Sequence, residues 1–172
     1  KQFLNNLGIH TAPFRLATTL EQISSAAATL SFPVFVKTCE EGYDGLGQWV
    51  IRNNLDLNNL LDYLLRQNAN LPELVIDGAV NFDRELSLIA VRNSKGECAF
   101  YPLTENLHRD GILLSSIAPA KVSKALQDKA EAMADRILTA WSYVGIIAIE
   151  LFQVGENLVV NELAPRVHNS GH

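Results

Sequence analysis

The stretch from Ile146 onward, IIAIELFQVGENLVVNELAPRVHNSGH, places the tightest constraint on how this chain folds. Two runs rich in β-branched residues, Ile146–Phe152 and Leu158–Leu163, flank Gly155-Glu156-Asn157, a turn signal, so the segment reads as a β-hairpin. Each run carries one carboxylate in an apolar setting, Glu150 and Glu162, and the two lie at equal distances on either side of Glu156. A three-residue loop sets them directly across the ladder; a two-residue loop shifts them by one residue. Opposed side chains have Cβ atoms about 5 Å apart, and like charges there repel. At an effective dielectric near 20 the repulsion is roughly 3 kcal/mol. Such a pair calls for a cation, a shared proton or a different register. Asn161 adds a neutral oxygen ligand beside Glu162, and hard oxygens of this kind suit Mg²⁺, which takes one or two carboxylates plus phosphates.

Composition narrows the class. The 172 residues allow one ordinary domain or two small lobes, and 48 % hydrophobic with 19 % charged residues is the make-up of a globular protein. A net charge of −5 supplies no basic footprint for nucleic acid. The two cysteines, Cys39 and Cys98, have no metal-ligand spacing and make no disulfide framework, which points to a reducing compartment. Apolar stretches are broken by charge well short of the ~20 residues that span a bilayer. The chain starts at Lys1 and stops in a dense polar motif, so it is expected to be an internal piece of a longer protein.

Taken in order, Lys1–Leu7 reads as a short helix stopped by Gly8, and Ala12-Pro13 leads into an extended segment. Thr19 with Gln22 makes a capping box for a helix to Leu30. Val34–Lys37 is a buried strand ending in a lysine, followed by the glycine-rich TCEEGYDGLG and a strand Gln48–Arg52. The glycines suit an anion-binding nest, although Asp44-Gly45 is also an ordinary hairpin turn. Leu55–Arg66 has helical periodicity, Leu74–Ile76 is a strand, and Asp77-Gly78-Ala79 is a turn or a joint. Glu85–Val91 and Glu97–Tyr101 form a hairpin, Ile112–Ile117 a further strand, and Ser123 caps a long helix to Ala140. The pattern is α+β with two lobes, 1–80 and 81–172.

Three blocks carry a resemblance. EGYDGLGQ at Glu41–Gln48, YPLTENLHRDGIL at Tyr101–Leu113 and NELAPRVHNSGH at Asn161–His172 closely resemble the N5-carboxyaminoimidazole ribonucleotide synthetases, a family of ATP-grasp ligases of purine biosynthesis. The resemblance covers essentially the whole chain, which matches the central ATP-grasp portion of that family. It implies an ATP-grasp fold, two α+β lobes with the nucleotide site between them. The reaction it implies couples ATP, with Mg²⁺, and bicarbonate to 5-aminoimidazole ribonucleotide through carboxyphosphate, in a cytoplasmic enzyme that is homodimeric at full length.

The same resemblance assigns roles. Lys37 would hold ATP phosphates, and Gly42, Tyr43, Asp44, Gly45, Leu46, Gly47 and Gln48 would form the loop covering them. Asp77, Gly78, Ala79 and Val80 would read the adenine edge through backbone groups. Glu85 would take the ribose hydroxyls, with His108 near the nucleotide. Glu150 and Glu162 would hold the metal, with Asn161 alongside. Arg166, His168 and Asn169 would handle bicarbonate, carboxyphosphate and the ribonucleotide, with Tyr43 and Asp44 joining them as catalytic residues. The chemistry wants these types: metal and lysine neutralise developing phosphate charge, a closing loop keeps water from a short-lived acyl phosphate, and arginine's planar fork suits bicarbonate. Leu46 stands where the family usually has a basic residue, and Asp77 where it usually has glutamate. Other readings are a different ATP-grasp ligase or a non-catalytic nucleotide-binding fragment.

Overall fold

The structure, a computed structural model, describes residues 1–39, 47–67, 71–109 and 112–171. Its elements in chain order are α1 (Gln2–Asn6), β1 (Phe14–Ala17), α2 (Leu20–Leu30), β2 (Val34–Thr38), β3 (Gln48–Ile51), α3 (Asn54–Arg66) and β4 (Leu74–Gly78). There follow β5 (Arg84–Arg92), β6 (Cys98–Phe100), β7 (Thr104–Arg109), β8 (Ile112–Ile117), α4 (Lys124–Ala140), β9 (Gly145–Val154) and β10 (Asn157–Ala164), then a single 3₁₀ turn at Asn169–Gly171. The elements divide into two compact units, Ala12–Val80 on the one hand and Lys1–Thr11 with Asn81–His172 on the other.

In the Ala12–Val80 unit an antiparallel sheet runs in the order β1-β4-β2-β3. Alternation sends Val34, Val36, Leu74 and Ile76 to one face, where Ile23, Ala26 and Ala27 of α2 and Leu57 and Leu60 of α3 cover them. Both helices start as their sequences dictate: Thr19 accepts from the Gln22 N–H and Asn53 from the Asp56 N–H. Lys37 and Asp77 lie on the other face. The β2–β3 connection closes through Thr38 N–H to Gly47 O at 2.9 Å. Gly47 has φ +71°, and a Cβ there would sit 2.6 Å from Thr38 Oγ1, so conformation and space both demand glycine.

The second unit is built on a sheet in the order β10-β9-β5-β7-β8, with β6 also paired to β5. Leu86, Leu88 and Ala90 of β5, Ile147, Ile149 and Leu151 of β9, and Leu158 and Val160 of β10 point to one side. There they meet Leu126, Ala130, Ala134, Ile137 and Leu138 of α4, whose Ser123 cap accepts from the Leu126 N–H. Each fully buried leucine or isoleucine contributes on the order of 1.5–3 kcal/mol. β7, TENLHR, carries a single leucine and no apolar alternation, so nothing in its composition announces a strand; pairing with β5 and β8 makes it one.

The expected 1–80 lobe needs one correction. Residues 1–11 belong with the later unit, because Leu4 and Ile9 join the α4 core and Phe3 stacks on Trp141 at 5.0 Å. Thr11 also bridges Val160, and the Val160 N–H donates to His10 O at 2.8 Å along the outer side of β10. The other end of the expected boundary, between Val80 and Asn81, coincides with the division observed.

Each unit holds one tryptophan, Trp49 and Trp141. Gly47→Ala is expected to destabilise the Ala12–Val80 unit by more than about 1 kcal/mol. Urea unfolding followed at Trp49, in a protein with Trp141 replaced by Phe, measures that loss.

Candidate active site

The face of the larger sheet turned away from α4 is polar in its middle, and strand register says why. Across the ladders Glu162 pairs with Glu150, and Glu150 with Ser87. The next row runs Val159, Phe152, Glu85, Asn106, Ser116, and the row on the other side runs Ala164, Ala148, Ile89. Every one of these residues shares the face.

The direct pairing of the two glutamates arises in an unexpected way. Asn157 pairs with Val154, so the loop is the two-residue Gly155-Glu156, which by itself would offset the carboxylates. A β-bulge between Val160 and Glu162 absorbs Asn161 and brings Glu162 opposite Glu150. The repulsion expected there is eased within the protein. Glu150 accepts from Asn161 Nδ2 at 3.2 Å and its other oxygen lies 3.0 Å from His168 Nε2, while Glu162 is exposed to solvent. The hydrogen bond from His168 is the main cause holding the Glu150 carboxyl below its ordinary value; burial acts in the opposite direction and loses.

His168 reaches Glu150 because the segment after β10 folds back over the third row. Ala164, Ala148 and Ile89 form a small apolar floor, and a Cβ at Gly171 would run into Ile89 Cδ1. With alanines beneath it the 3₁₀ turn lies close to the sheet, leaving His168 and Ser170 each only 7 % exposed. Beside this seat a shallow depression opens between Glu85, Asn106, His108, Glu150, Phe152 and Asn161. His108 Nδ1 is paired with the Glu85 carboxylate at its rim.

Not every expected residue joins this cluster. Arg166 and Asn169 are exposed, and Arg166 Nη1 donates to the neighbouring Val167 O at 3.0 Å. Lys37, in the smaller unit, pairs with Asp77 Oδ2 at 3.4 Å. The two are diagonal neighbours on one face, since Lys37 faces Val75 and Asp77 faces Phe35. The Asp77 side chain is buried and holds the lysine, and the Gly78 N–H is taken by Pro13 O. Of the joint residues, Ala79 is exposed and Val80 half-buried. Gly47 and Gln48 are placed at the start of β3; Gly42, Tyr43, Asp44, Gly45 and Leu46 lie outside the described residues. Ser87, Asn106 and Ser170 belong to the site although their sequence neighbourhoods gave no reason to single them out beyond alternation in β5 and the closing motif.

Among the described residues no three acidic, histidine or cysteine side chains converge to hold a metal. Glu150 and Glu162, opposite each other on the ladder, are hard oxygen donors of the kind Mg²⁺ takes alongside phosphates and water. A profile of the ATP-grasp domain matches residues 2–172. The chain belongs to the ATP-grasp family. It is 38 % identical over its full length to N5-carboxyaminoimidazole ribonucleotide synthase of Vibrio cholerae and 41 % identical to that of Pseudomonas aeruginosa, covering 46 % of each. Among solved structures, the synthetase from Thermus thermophilus superposes with a TM-score of 0.87 at 45 % identity, over the whole of this chain and 45 % of that one. The Aspergillus clavatus enzyme in complex with ADP and 5-aminoimidazole ribonucleotide gives 0.82 at 27 % identity, over 99 % of this chain and 44 % of that one. This ATP-grasp chain thus spans about half the length of the curated relatives it matches. No helix among its described residues is long and apolar enough to cross a membrane.

A carboxyl whose value is depressed in the fold stabilises it above the ordinary carboxylate range, and that contribution is lost as pH falls through the depressed value. Unfolding measured across the acid range at Trp141 is therefore expected to show a stability decline in the native protein that Glu150→Gln reduces.

Proposed function

We propose that this chain is the ATP-grasp core of an N5-carboxyaminoimidazole ribonucleotide synthetase, acting in the cytoplasm as part of a longer, homodimeric enzyme. The observation that carries the reading is the bulge at Asn161, which spends one residue to put two carboxylates face to face beside a polar depression. A purely structural hairpin gains nothing from that arrangement and bears a like-charge cost.

The substrates are ATP, bicarbonate and 5-aminoimidazole ribonucleotide. Glu150 and Glu162 would hold Mg²⁺, which when bound neutralises charge on the nucleotide phosphates. Glu150 presents two oxygens already oriented by His168 and Asn161, each keeping a lone pair for a further partner. Glu85, whose carboxylate is backed by His108, accepts from ribose hydroxyls at the rim of the depression. Lys37, whose position on β2 is set by its pairing with Val75 and Gln48, would meet phosphate oxygens after giving up or sharing Asp77. The exposed guanidinium of Arg166 and amide of Asn169 are free to turn toward bicarbonate and the ribonucleotide, and Arg166 suits a planar anion through its paired N–H groups. Gly42–Gln48 would cover the phosphates, with Tyr43 and Asp44 reaching the reacting groups. Leu46 leaves that cover one charge short of the usual pattern.

ATP hydrolysis by the full-length protein is expected to require both bicarbonate and the ribonucleotide. Hydrolysis indifferent to both would defeat the assignment. Glu162→Gln is expected to lower turnover by more than the ~10–100-fold typical of outer-shell changes at metal sites, while the urea midpoint stays unchanged or rises. A large stability loss with normal turnover would place Glu162 in a structural role.

A further inference from the structure

Behind His168 runs a chain of hydrogen bonds drawn from three strands, β8, β7 and β5. Ser116 Oγ on β8 donates to Asn106 Oδ1 at 2.8 Å, and Asn106 Nδ2 donates to Ser87 Oγ at 2.9 Å. Ser87 Oγ donates to Ser170 Oγ at 2.8 Å, and Ser170 Oγ lies 2.8 Å from His168 Nδ1. The imidazole then meets Glu150 through Nε2 at 3.0 Å, and Glu150 meets Asn161 at 3.2 Å. Ser87, Asn106, His168 and Ser170 are each no more than 7 % exposed, so water does not substitute for these partners.

Counting protons leaves this chain two possible directions. A hydroxyl has one proton to give, an amide nitrogen gives and never accepts, and a neutral imidazole has one donor and one acceptor nitrogen. With Asn106 Nδ2 donating to Ser87, the Ser87 proton goes to Ser170 and the Ser170 proton to His168 Nδ1. Rotating the Asn106 amide by half a turn would satisfy its two hydroxyl neighbours equally well and would reverse the whole series. The main-chain N–H of Ser170 chooses between the two, because it also points at His168 Nδ1, at 3.4 Å, and a backbone N–H can only donate. Nδ1 is therefore the acceptor, and the proton is on Nε2, facing the carboxylate.

We propose that Asn106, Ser87 and Ser170 are positioning residues that fix His168 in its Nε2–H form, so that its proton orients one oxygen of Glu150 while Asn161 orients the other. This rests on the reading of Glu150 as a metal-holding carboxylate, and it names the residues that aim it. Ser116 anchors the far end of the series. Their effect on Glu150 passes through the imidazole, as outer-shell partners act on a ligating group.

The test replaces the directional element at a distance. In Asn106→Asp the anchoring donor becomes a carboxylate that accepts from both Ser116 and Ser87. The Ser87 and Ser170 protons then turn toward Asp, Ser170 Oγ presents a lone pair to His168 Nδ1, and the Ser170 main-chain N–H, held at 3.4 Å, gives way to a proton on Nδ1. Long-range ¹H–¹⁵N correlation spectra of the ¹⁵N-labelled chain report this without any turnover. The native protein is expected to show a pyridine-type Nδ1 and a pyrrole-type Nε2 for His168. Asn106→Asp is expected to convert Nδ1 to the pyrrole type, a change opposite to the intrinsic preference of a free imidazole. Ser170→Thr, which keeps the hydroxyl, is expected to retain the native pattern and serves if Asn106→Asp does not fold. A protonated Nδ1 in the native protein would overturn the proposal, as would an unchanged Nδ1 in folded Asn106→Asp or loss of the native pattern in folded Ser170→Thr. Failure of ATP hydrolysis in the full-length protein would strike the proposed function and leave these spectra as they are.

Discussion

Two negative side chains facing each other across an antiparallel ladder cost energy, and the larger unit is arranged around making that cost bearable. The bulge at Asn161 creates the confrontation, and the same asparagine relieves it by donating to Glu150. His168 supplies the second donor from a returning segment that needs the Ala148 and Ala164 floor to come near enough. Exposure of Glu162 lets water screen the remainder. Glu150 is thus a held anion and Glu162 a solvated one. Such a pair is unequal: one carboxylate is set in advance, and the other is able to adjust to what arrives.

Much of this was legible before any coordinates. Ser123, Thr19 and Gly8 mark helix ends by chemistry that acts within a few residues, and those ends stand where the residues put them. The spacing of Leu86, Leu88 and Ala90 gives the two faces of β5 correctly, because a strand keeps its period of two even though residues 86–90 are buried on both faces. The convergence of Glu150 and Glu162 was also foreseeable, but only as one of two registers. A bulge is a property of the pair of strands and has no signature in either one.

What escaped the sequence is what depends on partners far along the chain. β7 is a strand because β5 and β8 flank it. Residues 1–11 part from the segment that follows them because Phe3, Leu4 and Ile9 find their apolar company around α4. The buried side-chain pairing of Asp77 with Lys37 went unread, since diagonal proximity across β2 and β4 is invisible in a linear string. Ser87, Asn106 and Ser170 are unremarkable residues until register and a chain reversal put them in line.

The rim of the larger sheet carries one more lesson. β10 is its outermost strand on that side, and such a strand ordinarily offers bare amides and carbonyls to any passing chain. Here the bridge from Thr11 to Val160, with His10 O taking the Val160 amide, occupies the strand just before its bulge. His10 and Thr11 act as a guard rail: at Val160 they take the place that another strand's edge would otherwise find. Trimming them would bare a sticky border, and the harm would surface as clumping of copies before it surfaced in the chemistry of the site.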